Sequence, residues 1–291
     1  MIRYMLLVLS IGTLDCTAWA DQIWLAPPRL TEAESDWYPR AVKVIDGKIE
    51  QFDARQLLVV VRGDEVSSTF AAYRVLWIEP EKRSEKETAA LKLFTDGQYA
   101  QSLRPFIDSL ADRPPVWRQQ WISMQAAKAA WLGAQPKIAL ELVSQLDQNP
   151  LPGLVVATLP IDWNGKVKSA TQAQTAQSRL SDPSSAVRLV AASWLLGTPD
   201  RRSAKPVLEA LAVDSKRPVV ARLAEVLSWQ LAPPPEVVQN ANAWQKKLDA
   251  LPMVLQTGPT ELMIEKFQRS GLTKKAAKLR LSLELTPVAP K

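Results

Sequence analysis

The chain has 291 residues, of which 47% are hydrophobic and 23% are charged. This composition excludes whole-chain disorder, and the length predicts about two domains. The sequence contains no histidine, which excludes Ser-His-Asp and Cys-His catalysis and histidine-ligated zinc. Neither GxGxxG nor GxxxxGK(S/T) occurs, so we expect no cofactor and no metal site. The net charge of +6 is compatible with an anionic partner but does not require one.

Residues 1–20 have the three-part layout of a secretory signal peptide. Arg3 gives a positive start, Met5–Leu14 is apolar, and Ala18-Trp19-Ala20 supplies the small residues that precede a cleavage site. The apolar run is too short to cross a membrane, which takes about 20 residues. The alternative, a lipid attached at Cys16, fits poorly because an acidic residue precedes this cysteine. We therefore expect an exported protein, periplasmic or secreted, whose mature chain has no disulfide and no integral membrane segment.

Residues 21–82 have strand character, because short β-branched and apolar runs alternate with turn residues. The predicted strands are Ala41–Ile45, Lys48–Phe52, Gln56–Val61, Glu65–Phe70 and Val75–Glu79. Asp46-Gly47 suits a hairpin between the first two, and Arg62-Gly63-Asp64 suits a later turn. Five short strands predict a small β barrel. Their strand-turn rhythm resembles that of SH3-like or Sm-like barrels, which implies a structural or docking role, with peptide or RNA binding as the alternative.

Tryptophans are frequent in this chain and have two interpretations. Trp37 and Tyr38 lie outside any periodic run, so they are the best candidates for exposed aromatic binding residues. Trp117 and Trp121 are one helical turn apart, and most of the remaining tryptophans lie among aliphatic residues at helical spacing. For these we predict core packing rather than stacking on a ligand.

Residues 83–146 carry a helical period with two related helix pairs. Gly97 would end one helix, and an apolar stripe formed by Tyr99, Leu103, Phe106 and Leu110 would face inward on the next. This segment resembles a tetratricopeptide repeat, and a weaker copy follows 36 residues later. The copies depart from the family at three places, which are Ser102, Pro105 and one extra residue after Gly133.

Residues 147–168 are rich in proline and glycine and are predicted to be a crossover whose apolar centre packs on the helices. Residues 169–285 return to helical periodicity with an internal repeat. The matching pairs, each shifted by 32 residues, are Asp182 and Asp214, Val187 and Val219, Ala192 and Ala224, and Leu195 and Leu227. This pattern resembles HEAT repeats, and three further helices are predicted over 236–251, 260–269 and 273–285.

The last predicted helix ends a basic run and is followed by an extended tail, residues 286–291. Its bases are Lys274, Lys275, Lys278 and Arg280. An apolar stripe at helical spacing leaves Lys274, Lys275 and Lys278 facing away from the core. One interpretation is a solvated cap, since terminal repeats need a polar outer surface. The other is a binding site for an anionic partner.

Together these segments predict an α+β protein in which a small N-terminal β barrel precedes an all-helical, solenoid-like array of α-α repeats. The chain resembles exported bacterial proteins that pair a small β module with tetratricopeptide-like and HEAT-like helices. We interpret it as a non-enzymatic scaffold or protein-interaction protein. We expect a protein or peptide segment as partner, an anionic polymer as the alternative, and no sequence-specific nucleic acid. The alternative function is a carboxylate-dependent hydrolase acting on cell-wall or polysaccharide material, which needs only two suitably spaced acids.

Overall fold

The computed structural model describes residues 20–28, 42–165 and 169–286. Residues 1–19 of the predicted signal peptide, Trp37, Tyr38 and the tail beyond Thr286 lie outside the described residues. The strands are β1 Asp21–Leu25, β2 Lys43–Phe52, β3 Gln56–Val61, β4 Ser67–Ala71 and β5 Val75–Glu79. The helices are α1 Glu85–Thr95, α2 Tyr99–Ser109, α3 Val116–Leu132, α4 Pro136–Leu146, α5 Gly153–Val156, α6 Ala170–Ser178, α7 Ser185–Leu195, α8 Arg201–Ala212, α9 Pro218–Ser228, α10 Pro234–Asp249, α11 Thr257–Arg269 and α12 Thr273–Leu285. The α+β class is confirmed, and none of the described helices combines the length and apolarity that a membrane span requires.

The five strands form one antiparallel sheet in the order β4-β3-β2-β1-β5. The prediction of a barrel was wrong, because β4 and β5 are the two edges of the sheet and do not pair within the described chain. Its buried face, which carries Ile23, Ile45 and Leu57, belongs to the same apolar core as the helices. Phe52 and Trp77 of the sheet meet Trp117 and Trp121 of α3 edge to face, at centroid distances of 6.3 and 6.0 Å. The sheet thus buries its apolar face against helices and does not need to close on itself.

The hairpin predicted at Asp46-Gly47 does not exist, because β2 runs straight through both residues. Gly47 pairs with Asp21 on one side and with Val61 on the other. The partner missing from the prediction was β1, which begins at Asp21 and lies between β2 and β5. The glycine is needed here for close approach, since a Cβ at position 47 would lie 2.6 Å from Val59 Cγ2.

Helices α1 to α4 form two consecutive antiparallel pairs, as predicted. Gly97 adopts φ +74° after α1, and the Gln98 N–H donates to the Leu93 carbonyl at 2.8 Å. The same cap recurs after α3 with Ala134 at φ +60° and a bond of 2.7 Å from Gln135 N–H to Ala130. The structural spacing is therefore 37 residues, because the extra residue after Gly133 moves the left-handed position to Ala134.

The crossover between the two helical regions is packed against α7. Trp194 Nε1 donates to the Pro160 carbonyl at 2.7 Å, and the buried backbone N–H of Asp162 donates to Ser193 Oγ at 3.1 Å. Gly165 and Gly197 touch so closely that a Cβ on Gly197 would lie 1.7 Å from the Gly165 carbonyl oxygen. These contacts fix the crossover to the end of α7.

Helices α7 and α9 reproduce the shift of 32 residues. Asp182 accepts from the Ser184 N–H at 2.9 Å, and Asp214 accepts from the Lys216 N–H at 3.0 Å, so the same turn precedes both helices. Of the later pairs, Leu195 and Leu227 agree in burial, whereas Val187 and Val219 do not. Leu195 and Leu227 are fully buried, Val187 is fully buried, and Val219 is half-buried and packed on the same core. The membership of either repeat family stays a prediction.

Candidate functional site

Helix α12 closes the helical array and has two opposite faces. Its inner face packs on the core through Leu272, Ala276, Leu279 and Leu283, of which Ala276 and Leu279 are buried and the two others half-buried, as the sequence predicted. At about 100° per residue, the opposite face carries positions i, i+4, i+7 and i+11. These are Lys274, Lys278, Leu281 and Leu285, which we call the outer stripe. All four are exposed, with Leu281 at 56% and Leu285 at 59%.

The outer stripe combines charge with apolar surface along one helix. Lys274 and Lys278 occupy its first half, and neither forms an ion pair with another described residue. Leu281 and Leu285 follow within two turns. A terminal helix usually presents a polar surface to water, because nothing stacks on it. Two exposed leucines beside two unpaired cations therefore have the composition of an interface rather than of a solvated cap.

The other two predicted bases are placed differently. Lys275 is half-buried and donates from Nζ to Asn242 Oδ1 on α10, so it does not face away from the core as predicted. Arg280 is exposed, but it lies about 120° around the helix from Lys274. The structure thus separates the four bases into a pair on the outer stripe, one flanking arginine and one lysine bonded within the array.

Two earlier bases of the same run are also used inside the molecule. Lys266 Nζ donates to the carbonyls of Gln230 and Ala232 at 2.9 and 2.8 Å. Burial is the main cause that lowers the pKa of Lys266, and nearby Arg269 lowers it further. Arg269 itself pairs with Glu265 one turn away. Neither side chain is therefore free for a partner in the way that Lys274 and Lys278 are.

A second candidate site is a cavity of about 310 Å³ between the sheet and the helices, which we call the junction cavity. Ala54 and Arg55 of the β2–β3 loop and Tyr73 form one side. The other walls come from the crossover, the starts of α7 and α9, and the segment after α10. Their residues are Asp147, Pro150, Leu151, Gly153, Val156, Leu159, Ala186, Lys216, Arg217, Pro218, Val219, Val220, Pro252 and Leu255. The volume is at the lower end of the range for small-molecule sites.

Asp147 is the one carboxylate among the described lining residues, and the protein itself engages it. Its Oδ2 accepts from Ser184 Oγ at 2.7 Å and from the Ala186 N–H at 3.1 Å. Arg217 donates to both the Asp147 carboxylate and the Asp147 carbonyl. The arrangement ties the end of α4 to the starts of α7 and α9. No sequence pattern joins residues 147 and 217, so this contact was missed.

The described regions also hold a close pair of acids, Glu79 and Glu87, which Arg83 bridges. No group of three His, Cys, Asp or Glu side chains capable of holding a metal occurs there. Glu87 is buried and pairs with Arg118 at 2.5 Å. Burial raises the pKa of Glu87, and the charge of Arg118 opposes that rise. Trp117 and Trp121 are buried as predicted, so they belong to the core.

No protein-family model matches the chain, and neither a curated protein nor a solved structure is detectably similar to it.

Proposed function

We propose that this protein is an exported, non-enzymatic interaction protein, and that the outer stripe of α12 holds a protein segment bearing both acidic and apolar side chains. The observation that carries the proposal is the pairing of Lys274 and Lys278 with exposed Leu281 and Leu285 on one face. A bare anionic polymer would use only the two lysines. The leucines favour a protein partner, because covering them removes apolar surface from water.

The exported location is part of the same proposal and rests on the sequence of residues 1–20. Cleavage after Ala20 would leave Asp21, the first residue of β1, at the new N-terminus. The whole sheet would therefore be retained, including the interior strand β1. N-terminal sequencing of the native protein should give Asp21, and an intact Met1 would remove the location from the proposal.

A hydrolase is the competing class, and the junction cavity does not favour it. General acid–base cleavage of a glycosidic bond needs two carboxyl groups facing each other. Within the described wall Asp147 has no acidic partner, and Arg217, Ser184 and Ala186 already occupy its oxygens.

The proposed function predicts that both halves of the outer stripe contribute to binding. Partners should be captured from the native host with the wild-type protein and with two variants, Lys274→Gln/Lys278→Gln and Leu281→Ser/Leu285→Ser. We expect each variant to lose at least about tenfold of the specific partner signal, because each removes one of the two contact types. Circular dichroism should be unchanged, since all four side chains are exposed.

A matched control changes two exposed residues elsewhere, Lys137→Gln and Val213→Ser, which should leave capture intact. Raising the salt concentration separates the two partner classes, because it weakens contacts between exposed charges and leaves apolar contacts in place. The distance over which exposed charges act is about 8 Å at 0.15 M and becomes shorter at higher salt. A partner that the lysine variant no longer captures, that high salt releases and that the leucine variant still captures would be an anionic polymer. That outcome would overturn the proposal of a protein partner.

A further inference from the structure

We propose that the junction cavity binds a small amphipathic carboxylate, a molecule with a linear aliphatic body and one anionic head. This inference is independent of the outer stripe, which lies on another part of the molecule. It rests on three properties of the cavity, which are its volume, its apolar wall and the charges at its rim.

The wall of the junction cavity is predominantly aliphatic. Leu151, Val156, Leu159, Val220 and Leu255 are each at least nine-tenths buried and line it. Three prolines add further rigid apolar surface, since their backbones donate no hydrogen bond. A body that fills this wall must itself be apolar, because a polar group placed here would lose its water without gaining a partner.

The rim carries the opposite chemistry. The described lining contains three bases, Arg55, Lys216 and Arg217, and one acid, Asp147. Asp147 and Arg217 form an ion pair, which leaves Arg55 and Lys216 as the two lining bases with no acid of the lining beside them; the charge of Asp53, outside the lining, interacts with Arg55. Both bases are exposed, and neither forms an ion pair within the described chain. An anionic head placed between them would be matched in charge, whereas a cationic head would be repelled.

Both basic loops are held in place by the same kind of turn. Asp53 Oδ1 accepts from the backbone N–H groups of Arg55 and Gln56 at 2.7 and 2.9 Å. Asp214 Oδ1 accepts from the Lys216 N–H at 3.0 Å. These two acids are therefore occupied by backbone donors. The loops bring their basic side chains to one cavity, although the residues are 161 positions apart in sequence, from 55 to 216.

Isothermal titration calorimetry of the full chain with decanoate tests this assignment. We expect saturable one-to-one binding of decanoate and no measurable binding of acetate, which lacks the body, or of decyltrimethylammonium, which has the wrong charge. The variant Arg55→Gln/Lys216→Gln should weaken decanoate binding at least about tenfold, because it removes the two lining bases that no lining acid pairs with.

A second variant tests the cavity itself. Ala54→Phe places a large side chain at the mouth from a partly exposed loop position, and it should abolish decanoate binding without unfolding the protein. The control is Lys274→Gln/Lys278→Gln on the outer stripe, which should bind decanoate like the wild type. The assignment is overturned if wild-type protein does not bind decanoate. It is equally overturned if all variants bind alike, or if the cationic probe binds as well as the anionic one.

Discussion

Gly47 shows how one residue type can be required for two different reasons. In the sequence, Asp-Gly between two apolar runs is typical of a tight hairpin, where glycine is chosen for its positive φ. In the fold, Gly47 lies in the middle of β2, and the absence of a side chain makes room for Val59 and the carbonyl of Val60. The dipeptide alone could not distinguish the two uses, because the distinction depends on strand β1 pairing from the other side.

Replacing Gly47 with alanine should destabilise the protein by about 1 to 3 kcal/mol, the usual cost of forcing a methyl group into a packed site. The new Cβ would lie 2.6 Å from both Val59 Cγ2 and the Val60 oxygen. Urea unfolding followed by circular dichroism measures the change. Gly153→Ala is the matched control, since its Cβ would meet only Val254 at an ordinary 3.5 Å. Equal stabilities of the two variants would contradict the close approach at Gly47.

Lys128 on α3 offers a test of burial through pH. Burial lowers the pKa of Lys128 below its usual 10.5, and nearby Glu261 only partly opposes this. A lysine whose pKa is lower in the folded state is destabilising while it is charged in both states. That cost is fully present below the folded-state pKa and is relieved as the pH rises from there towards 10.5.

Lys128→Met should therefore be more stable than the wild type at pH 7, and the difference should shrink as the pH approaches 10. The free energy of unfolding in urea, measured at both pH values, gives the two differences. Lys137→Met, at an exposed position on α4, is the control and should change the free energy of unfolding by no more than about 0.5 kcal/mol. A gap for Lys128→Met that stays constant with pH would show that the charge of this side chain carries no cost in the fold.

At the scale of elements, the array is held together by aspartates at helix ends. Asp182 and Asp214 form the same turn before α7 and α9, and the shift of 32 residues predicted this equivalence. Asp147 follows α4 and reaches forward to both α7 and α9 through Ser184, Ala186 and Arg217. The sequence could reveal the repeated pair because its spacing is regular. It could not reveal the contact between residues 147 and 217, because the crossover places them together.

A double-mutant cycle should measure the contribution of this contact. Asp147→Ala alone should cost about 3 kcal/mol, because it leaves Arg217 partly buried without its partner. The coupling energy with Arg217→Met should be about 1 to 3 kcal/mol, as expected for contacting charged residues. Denaturant unfolding of the four proteins gives this value.

The exposed pair Lys205–Glu209 on α8 is the control for that cycle, with side chains 63% and 60% exposed. Its coupling should stay below about 0.5 kcal/mol, because water screens such pairs. Equal coupling energies for the buried pair and the exposed pair would show that the contact of Asp147 does not join α4 to the later helices.

At the scale of the whole molecule, the sequence predicted the change from strands to helices but not how the two parts meet. Apolar residues that recur every two or about every 3.6 positions were sufficient to predict the helix pairs. They also predicted three of the five strands, β3, β4 and β5. The barrel prediction was wrong because periodicity identifies an apolar face without saying what covers it. Here the buried face of the sheet joins the apolar core of the helices, and the junction cavity lies between the β2–β3 loop and the helices.

The same limit applied to the candidate sites. The basic character of α12 was readable from its sequence, as was the inner stripe that fixes its orientation. The exposed leucines were not recognised, because an apolar residue at the end of a helix is ordinarily assigned to the core. The outer stripe became visible only when the structure showed that no other described element covers Leu281 and Leu285.

The most direct test of the central claim is site-specific photo-crosslinking in the native host. A photoreactive benzoylphenylalanine replaces Leu281 in one protein and Val213, which is more exposed than Leu281, in another. We predict a discrete protein adduct from position 281 that disappears when Lys274→Gln/Lys278→Gln is added, and no corresponding adduct from position 213. Crosslinks that are absent from position 281, or that are the same from both positions and indifferent to the lysine changes, would contradict it.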